Sequence, residues 1–172
     1  MDETASPISH APDFELPNVA AGPDPFSLSG VASDPAVDGI VLLFQRDYHC
    51  INCRKQVQAV SRRYEEFQAL DVTVASILPE PRARAQSWQE SYDLSFPLLA
   101  DPDIDVGDAY DQPVRFGVLG SLHDFFGRMP VALVLDTRTD NTKVSYTYEG
   151  RMPADRPDVD ELLDELRSMN GE

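Results

Sequence analysis

Segments of membrane-spanning length are missing from this 172-residue chain. Apolar runs such as Ile40–Phe44 are far shorter than the ~20 residues that a helix needs to cross a bilayer. The first ten residues, MDETASPISH, are acidic and polar and lack the basic stretch and apolar core of a secretory signal. We therefore expect a cytoplasmic protein with no membrane partner, of a size that suits a single domain.

Basic residues are few, and lysine is nearly missing. The chain has 14 Lys plus Arg against 30 Asp plus Glu, and only Lys55 and Lys143 are lysines. The net charge of −16 would repel phosphates, which argues against a nucleic-acid partner. Carboxylates spread in this way destabilise a chain at low salt and are screened at high salt. The composition resembles that of proteins from salt-loving archaea and predicts a halophilic protein; an ordinary acidic cytosolic protein is the alternative.

Cysteine is equally scarce, and both cysteines lie in the stretch HCINC, as Cys50 and Cys53. In a cytosolic protein, paired cysteines more often carry out redox or metal chemistry than build a disulfide framework. Three interpretations compete at this point: a redox-active dithiol, half of a metal site, or two inert buried side chains.

Periodicity predicts an α/β domain with a central mixed sheet flanked by helices. A buried strand, a helix and a second strand form a parallel unit, and a later pair of strands forms an antiparallel hairpin before a last helix. Asp155 is the expected N-cap of that last helix. The predicted strands are Ile40–Phe44, Val72–Leu78, Phe96–Ala100, Met129–Asp136 and a strand within Lys143–Gly150; the predicted helices are Arg54–Leu70, Arg82–Tyr92, a short one within Asp101–Tyr110, and Asp158–Met169.

The two cysteines follow a predicted buried strand and begin a predicted helix. The unpaired N–H groups and the dipole at a helix N-terminus stabilise an anion, which lowers the pKa of a thiol there. Arg46, His49, Arg54 and Lys55 add basic groups nearby in an otherwise acidic chain. The Cys-x-x-Cys spacing in a first helical turn also brings the sulfurs within bridging distance. These features favour a redox dithiol. His49 either assists a thiolate or is simply an exposed loop residue.

Metal binding is the weaker interpretation. A structural zinc site usually takes its four ligands from two pairs, and His10, His49 and His123 have no pair spacing with which to complete one. We therefore expect neither a metal nor a bound cofactor.

Several motifs, taken together with this cysteine region, resemble those of peroxiredoxins, the alkyl hydroperoxide reductase/thiol-specific antioxidant family of the thioredoxin fold. They are APDFELP (Ala11–Pro17), FSLSG (Phe26–Gly30), the strand VLLF and FPLLADPDIDVGDAY (Phe96–Tyr110), in the family's order. The resemblance implies a thioredoxin-like domain over residues 11–169, with a peroxiredoxin-type N-terminal extension, after a flexible segment 1–10.

Counting from Phe44, the resemblance puts Cys53 at the peroxidatic position. Cys50 then stands where the family has Thr, and Arg46 stands where it has Pro. A peroxiredoxin-like subgroup in which Cys-x-x-Cys is followed by Arg is most similar, and Arg54 fits that pattern.

The C-terminal half departs from the family pattern. Peroxiredoxins keep an Arg beside the sulfur at the start of a late strand, and counting back from Asp136 places Pro130 there. Thioredoxins have a cis-proline at this position, so a cis Met129–Pro130 bond is a hypothesis. Arg128, two residues earlier, is the candidate to replace the missing arginine.

The resemblance implies a thiol peroxidase. Cys53 would attack a hydroperoxide, Cys50 would close the disulfide, Arg128 or Arg54 would stabilise the thiolate, and a thioredoxin-like donor would reduce the pair. Two alternatives stay open. One is a dithiol–disulfide reductase, acting on protein disulfides with Cys50 as nucleophile, and the other is a non-catalytic redox sensor.

Overall fold

The computed structural model describes residues 8–112 and 128–171. Seven strands and six helices lie within these ranges. In chain order they are β1 (Glu15–Leu16), β2 (Phe26–Ser27), α1 (Leu28–Ala32), β3 (Gly39–Phe44), α2 (Ile51–Arg62), α3 (Tyr64–Gln68), β4 (Val72–Leu78), α4 (Arg82–Tyr92), β5 (Leu98–Ala100), α5 (Asp105–Ala109), β6 (Val131–Asp136), β7 (Lys143–Glu149) and α6 (Val159–Met169).

The central sheet has five strands in the order β5-β4-β3-β6-β7. Strands β3, β4 and β5 are parallel, whereas β6 runs antiparallel to β3 and β7 antiparallel to β6. The predicted mixed sheet, parallel unit and hairpin are therefore confirmed. Phe44 pairs with Val131, so the end of β3 lies beside the start of β6. The residues that follow β3 and those that precede β6 consequently meet at one edge of the sheet.

Strand β3 is buried along its whole length because both faces of the sheet are covered. Val41 and Leu43 face a core that includes α2 and α6. Ile40 and Leu42 face the second core, to which the N-terminal elements contribute. This two-sided burial explains the unbroken apolar run in the sequence, since no residue of the strand faces water.

The N-terminal residues form an extension of short elements. Strands β1 and β2 pair in an antiparallel sheet of their own, and Asn18 bridges to Leu99 of β5. Ser9 accepts a hydrogen bond from the N–H of Val144, so the described start of the chain lies along β7. Of the segment 1–10 that the sequence predicts to be flexible, residues 1–7 lie outside the described residues.

Two details of the predicted helices are wrong. The helix expected to run from Arg54 to Leu70 is two helices, because Arg63 leaves the helical conformation with φ −121° and ψ 20°. The N-cap of α6 is Asp158 and not Asp155, because the Asp158 carboxylate accepts the N–H of Glu161 at 2.8 Å. Among the helices that the structure describes, none is both long and apolar enough to cross a membrane.

Candidate active site

The cysteines lie where the connection from β3 enters α2, as the sequence predicts, with Cys50 before the helix and Cys53 in its first turn. Cys50 is the N-cap of α2, and its Sγ accepts the backbone N–H of Cys53 at 3.1 Å. The two residues form a disulfide with their Cα atoms 5.2 Å apart. The one-turn spacing at the helix start therefore places both sulfurs at the N-terminus of α2, where backbone N–H groups and the helix dipole stabilise negative charge.

The two cysteine residues differ in burial. Cys53 is fully buried, whereas Cys50 retains 7% of its surface. Cys53 Sγ also accepts the backbone N–H of Arg46 at 3.3 Å. Of the two residues, Cys50 is therefore the one that keeps contact with solvent in the disulfide form.

A guanidinium group contacts both sulfurs, and it belongs to Arg156. Its Nη2 lies 2.9 Å from Cys53 Sγ and 3.5 Å from Cys50 Sγ. Arg156 lies in the loop between β7 and α6, 103 residues from Cys53 along the chain. The sequence does not predict this residue, since neither spacing nor periodicity connects it with the cysteines.

Two glutamines hold this guanidinium in place. Arg156 Nη1 donates to Gln45 Oε1 at 2.6 Å and to Gln56 Oε1 at 2.9 Å. Gln45 is fully buried and follows β3, and its amide donates in turn to Ser76 Oγ on β4. Gln45, Gln56 and Arg156 form what we call the amide–guanidinium cluster. The sequence signal that points towards this cluster is a glutamine directly after an apolar strand. An amide at such a position is expected to be buried, and a buried amide requires polar partners.

Burial, which disfavours the charged form, and the positive charge of Arg46 together lower the pKa of Arg156 to about 10. Asp47 acts in the opposite direction. A negative charge at the sulfurs would offset this cost, because it would place an anion beside a cation in a site largely shielded from water.

The described hydrogen bonds of the predicted arginines lead away from the sulfurs. Arg128 donates to Asp108 at 2.9 Å and to Gln112 at 3.2 Å. Its backbone carbonyl does reach the site, since it accepts Arg46 Nε at 2.8 Å. The structure thus places the Arg128 backbone at the site and its guanidinium against α5 and Gln112.

Arg54 packs against aromatic rings on the outer side of α2. Its Nε and Nη2 donate to the carbonyl of Tyr48, and its Cζ lies 4.9 Å from the Tyr48 ring centroid and 5.6 Å from that of Trp88. It therefore fixes the turn that precedes Cys50. Trp88 is buried and donates to the same carbonyl.

The two other predicted site residues are His49, which directly precedes Cys50, and Pro130, which directly precedes β6. His49 is exposed, and its backbone N–H donates to Asp47 at 2.8 Å. Pro130 is buried and its carbonyl accepts the N–H of Gly150 at 2.8 Å. Among the described residues the cis peptide bond is Asp24–Pro25, so the hypothesis of a cis Met129–Pro130 bond is wrong.

No group of three or more His, Cys, Asp or Glu side chains within residues 8–112 and 128–171 is arranged to hold a metal ion. The sulfurs instead accept hydrogen bonds from two backbone N–H groups and from one guanidinium, which neutral amides hold in place. Such surroundings stabilise a thiolate, which is the nucleophilic form of cysteine.

Comparisons with known proteins agree with this chemistry. The model of the AhpC/TSA family matches residues 8–147. The thiol-disulfide oxidoreductase ResA of Bacillus subtilis is 29% identical over 80 residues, which are 46% of this chain and only 44% of that protein. The chain thus aligns with less than half of the length of that relative.

Solved peroxiredoxin structures share the whole fold. The peroxidoxin BcpB from Mycobacterium tuberculosis is 25% identical with a TM-score of 0.73, covering 93% of this chain and 95% of that one. The reduced 2-Cys peroxiredoxin of Plasmodium vivax is 14% identical with a TM-score of 0.76, covering 94% of each chain. These matches confirm the predicted thioredoxin-like fold with a mixed central sheet.

Proposed function

Since the chain belongs to the AhpC/TSA family, we propose that it is a thiol-dependent oxidoreductase that reduces hydroperoxides through Cys53 and Cys50. The observation that carries this proposal is the environment of Cys53 Sγ, which is fully buried and receives Arg156 Nη2 at 2.9 Å and the N–H of Arg46 at 3.3 Å. Donors of this kind favour a thiolate over a thiol.

The first step oxidises Cys53. Its thiolate attacks the terminal oxygen of the hydroperoxide, the O–O bond breaks, and the sulfur becomes a sulfenic acid. The departing alkoxide or hydroxide takes a proton and leaves as an alcohol or as water. The peroxide gains two electrons, both from Cys53.

The second step closes the disulfide. The Cys50 thiolate attacks Cys53 Sγ, the S–O bond breaks, and hydroxide leaves as water after protonation. The observed Cys50–Cys53 bond supports this step because it is the product expected. A thioredoxin-like dithiol then reduces the bond by two successive exchanges and becomes a disulfide itself. We place the protein in the cytoplasm, where such donors are kept reduced.

A second function, reduction of protein disulfides, is favoured by a different observation. Cys50 is the less buried sulfur, and a Cys-x-x-Cys pair at a helix start suits attack on another protein's disulfide. The partial match to a thiol-disulfide oxidoreductase supports the same possibility. In that reaction Cys50 attacks first and Cys53 resolves the mixed disulfide.

The test follows oxidation of the reduced protein by hydrogen peroxide in a stopped-flow instrument at molar salt. Trp88 is the only tryptophan and hydrogen-bonds to the turn before Cys50, so its fluorescence is a suitable signal. We expect Cys53→Ser to lose peroxide consumption by at least ~100-fold, because it lacks the attacking thiolate. The matched variant Cys50→Ser should still react once and should accumulate a sulfenic acid that dimedone labels.

Retention of wild-type peroxide consumption by Cys53→Ser would disprove the proposed role of Cys53. If the wild type instead reduces a protein disulfide such as insulin but does not consume peroxide, and Cys50→Ser abolishes that activity, the second function is the correct one. If neither reaction occurs, the protein is a non-catalytic redox sensor or binding protein.

A further inference from the structure

We propose that Arg156 is the thiolate-stabilising residue of this site, and that its position makes Cys53 the sulfur that carries negative charge and Cys50 the sulfur that receives electrons from the reductant. The role of Arg156 in peroxide turnover rests on the proposed function. The statement about the two sulfurs can be tested without any peroxide.

The donors around the sulfurs are unequal. Cys53 Sγ receives Arg156 Nη2 at 2.9 Å and the N–H of Arg46 at 3.3 Å. Cys50 Sγ receives the N–H of Cys53 at 3.1 Å, and Arg156 only at 3.5 Å. The full positive charge thus lies closer to Cys53. In a buried site this difference in distance has a large effect on the electrostatic interaction with a thiolate, since the local dielectric constant is lower than that of water.

The guanidinium has little freedom to move away. Its Nε donates to the carbonyl of Pro153 at 2.9 Å, and its Nη1 donates to Gln45 and Gln56. The planar geometry of arginine allows these bonds and the sulfur contacts to form together, which the single ammonium group of lysine does not permit.

The acceptors that hold Arg156 are all neutral: two side-chain amides and one backbone carbonyl. Among the ion pairs that the described residues form, none involves Arg156. Its charge is therefore available to a thiolate. Arg46 and Asp47 are the charged neighbours that act on Arg156 electrostatically, with opposite signs, so their effects partly offset each other.

The same asymmetry sets the direction of disulfide reduction. A donor thiolate attacks Cys50 Sγ, which belongs to the less buried cysteine, and forms a mixed disulfide there. The S–S bond breaks, and Cys53 departs as a thiolate beside Arg156. Exchange is faster when the leaving thiolate is the more stable one. Attack on the buried Cys53 would instead have to expel Cys50, which lies farther from the guanidinium.

The first experiment measures the pKa of the Cys53 thiol in the Cys50→Ser background, from thiolate absorbance near 240 nm. With Arg156 present we expect a pKa at least one unit below the ordinary value of about 8.5. Adding Arg156→Gln should raise it by one unit or more, which is a tenfold or greater change in proton affinity. Arg156→Lys should give an intermediate value, because it restores the charge but not the planar set of bonds.

Arg151→Gln is the matched control. Arg151 lies in the same loop, is exposed, and its backbone N–H donates to Asp155. The Arg151→Gln substitution removes one positive charge from the same loop as Arg156→Gln does. The Cys53 pKa should nevertheless stay within ~0.3 units of its value with Arg151 present. Circular dichroism identifies folded samples. If Arg156→Gln does not fold, the pKa of the Cys53 thiol in the Arg156→Lys variant tests the proposal instead.

The second experiment finds the attacked sulfur. The oxidised wild type is treated briefly with 2-mercaptoethanol and quenched with acid, and fragmentation of the peptide that holds both cysteines locates the mixed disulfide. We expect it on Cys50. An adduct mainly on Cys53 would overturn the proposal, as would a Cys53 pKa that does not change when Arg156 is replaced in a folded protein. A wild type that consumes no peroxide but passes both tests would refute the peroxidase function alone.

Discussion

Gln45 is neutral at a position where a charged residue would change the chemistry of the site. Its side chain is fully buried, accepts Arg156 Nη1 at 2.6 Å and donates to Ser76 at 3.0 Å. A neutral acceptor orients the guanidinium without neutralising it. A carboxylate in the same place would pair with the guanidinium and repel a second negative charge at Cys53.

We therefore predict that Gln45→Glu raises the pKa of Cys53 by about one unit or more and slows its oxidation. The measurement is thiolate absorbance against pH in the Cys50→Ser background. Gln68→Glu is the control, because it adds the same charge at an exposed position on α3 and should leave the thiol pKa unchanged. An unchanged pKa in folded Gln45→Glu would show that the amide–guanidinium cluster does not act on the sulfur.

The sequence identifies the sulfurs of this site but not their cation. Cys50 and Cys53 are recognisable because their chemistry lies in local spacing at a strand–helix junction. Arg156 has no such local signal, since only the packing of the C-terminal loop brings it to Cys53. The prediction of Arg128 came from counting along a strand, which located the backbone near the site and not the direction of the side chain.

The loop between β7 and α6 presents Arg156 because two residues fix its start. Gly150 is buried, and its N–H donates to the Pro130 carbonyl ahead of β6. Asp155 accepts the N–H of Arg151 at 2.9 Å and the hydroxyl of Tyr148 on β7. These bonds hold the pKa of Asp155 below its usual range, and the bond to Asp155 raises the pKa of Tyr148 to about 12.

Gly150 leaves no room for a side chain. An added Cβ would lie 2.5 Å from the Asp155 carbonyl and 2.6 Å from Pro130 Cγ. We predict that Gly150→Ala shifts the loop, costs about 1–3 kcal/mol in the free energy of unfolding and raises the Cys53 pKa. Urea unfolding and thiol titration measure the two effects.

Ala154→Ser, an exposed change in the same loop, is the control for Gly150→Ala and should alter neither quantity. A Gly150→Ala protein with wild-type stability and thiol pKa would show that the loop tolerates displacement.

At the level of elements, periodicity was sufficient to predict the strands and most helices, because apolar residues recur wherever a face is buried. The break at Arg63 was not predictable in this way, since the apolar stripe continues from α2 into α3 through Val60, Tyr64 and Phe67. The cap of α6 was misplaced because Asp155 and Asp158 are both acceptable caps in sequence, and Asp155 is used by Tyr148 instead.

For the whole molecule, we expect the net charge of −16 to make stability depend on salt. Repulsion among the carboxylates is strong in dilute buffer and is screened once the Debye length falls to a few ångströms. We predict that the thermal unfolding midpoint rises by at least ~5 °C between 0.1 and 2 M KCl. Differential scanning fluorimetry measures it.

The rise should be the same for NaCl as for KCl, because screening depends on ionic strength. A midpoint that does not change with either salt would contradict the halophilic interpretation. A rise seen only with sulfate would indicate salting-out of apolar surface instead.

The site is completed only when the C-terminal part of the chain is in place. Cys50 and Cys53 leave the ribosome about a hundred residues before Arg156 does. Until the last loop docks, the Cys53 thiol lacks the guanidinium that we propose stabilises its thiolate. On the proposed role of Arg156, we therefore expect nascent and unfolded chains to carry poorly reactive thiols and only the complete fold to make the dithiol sensitive to oxidants.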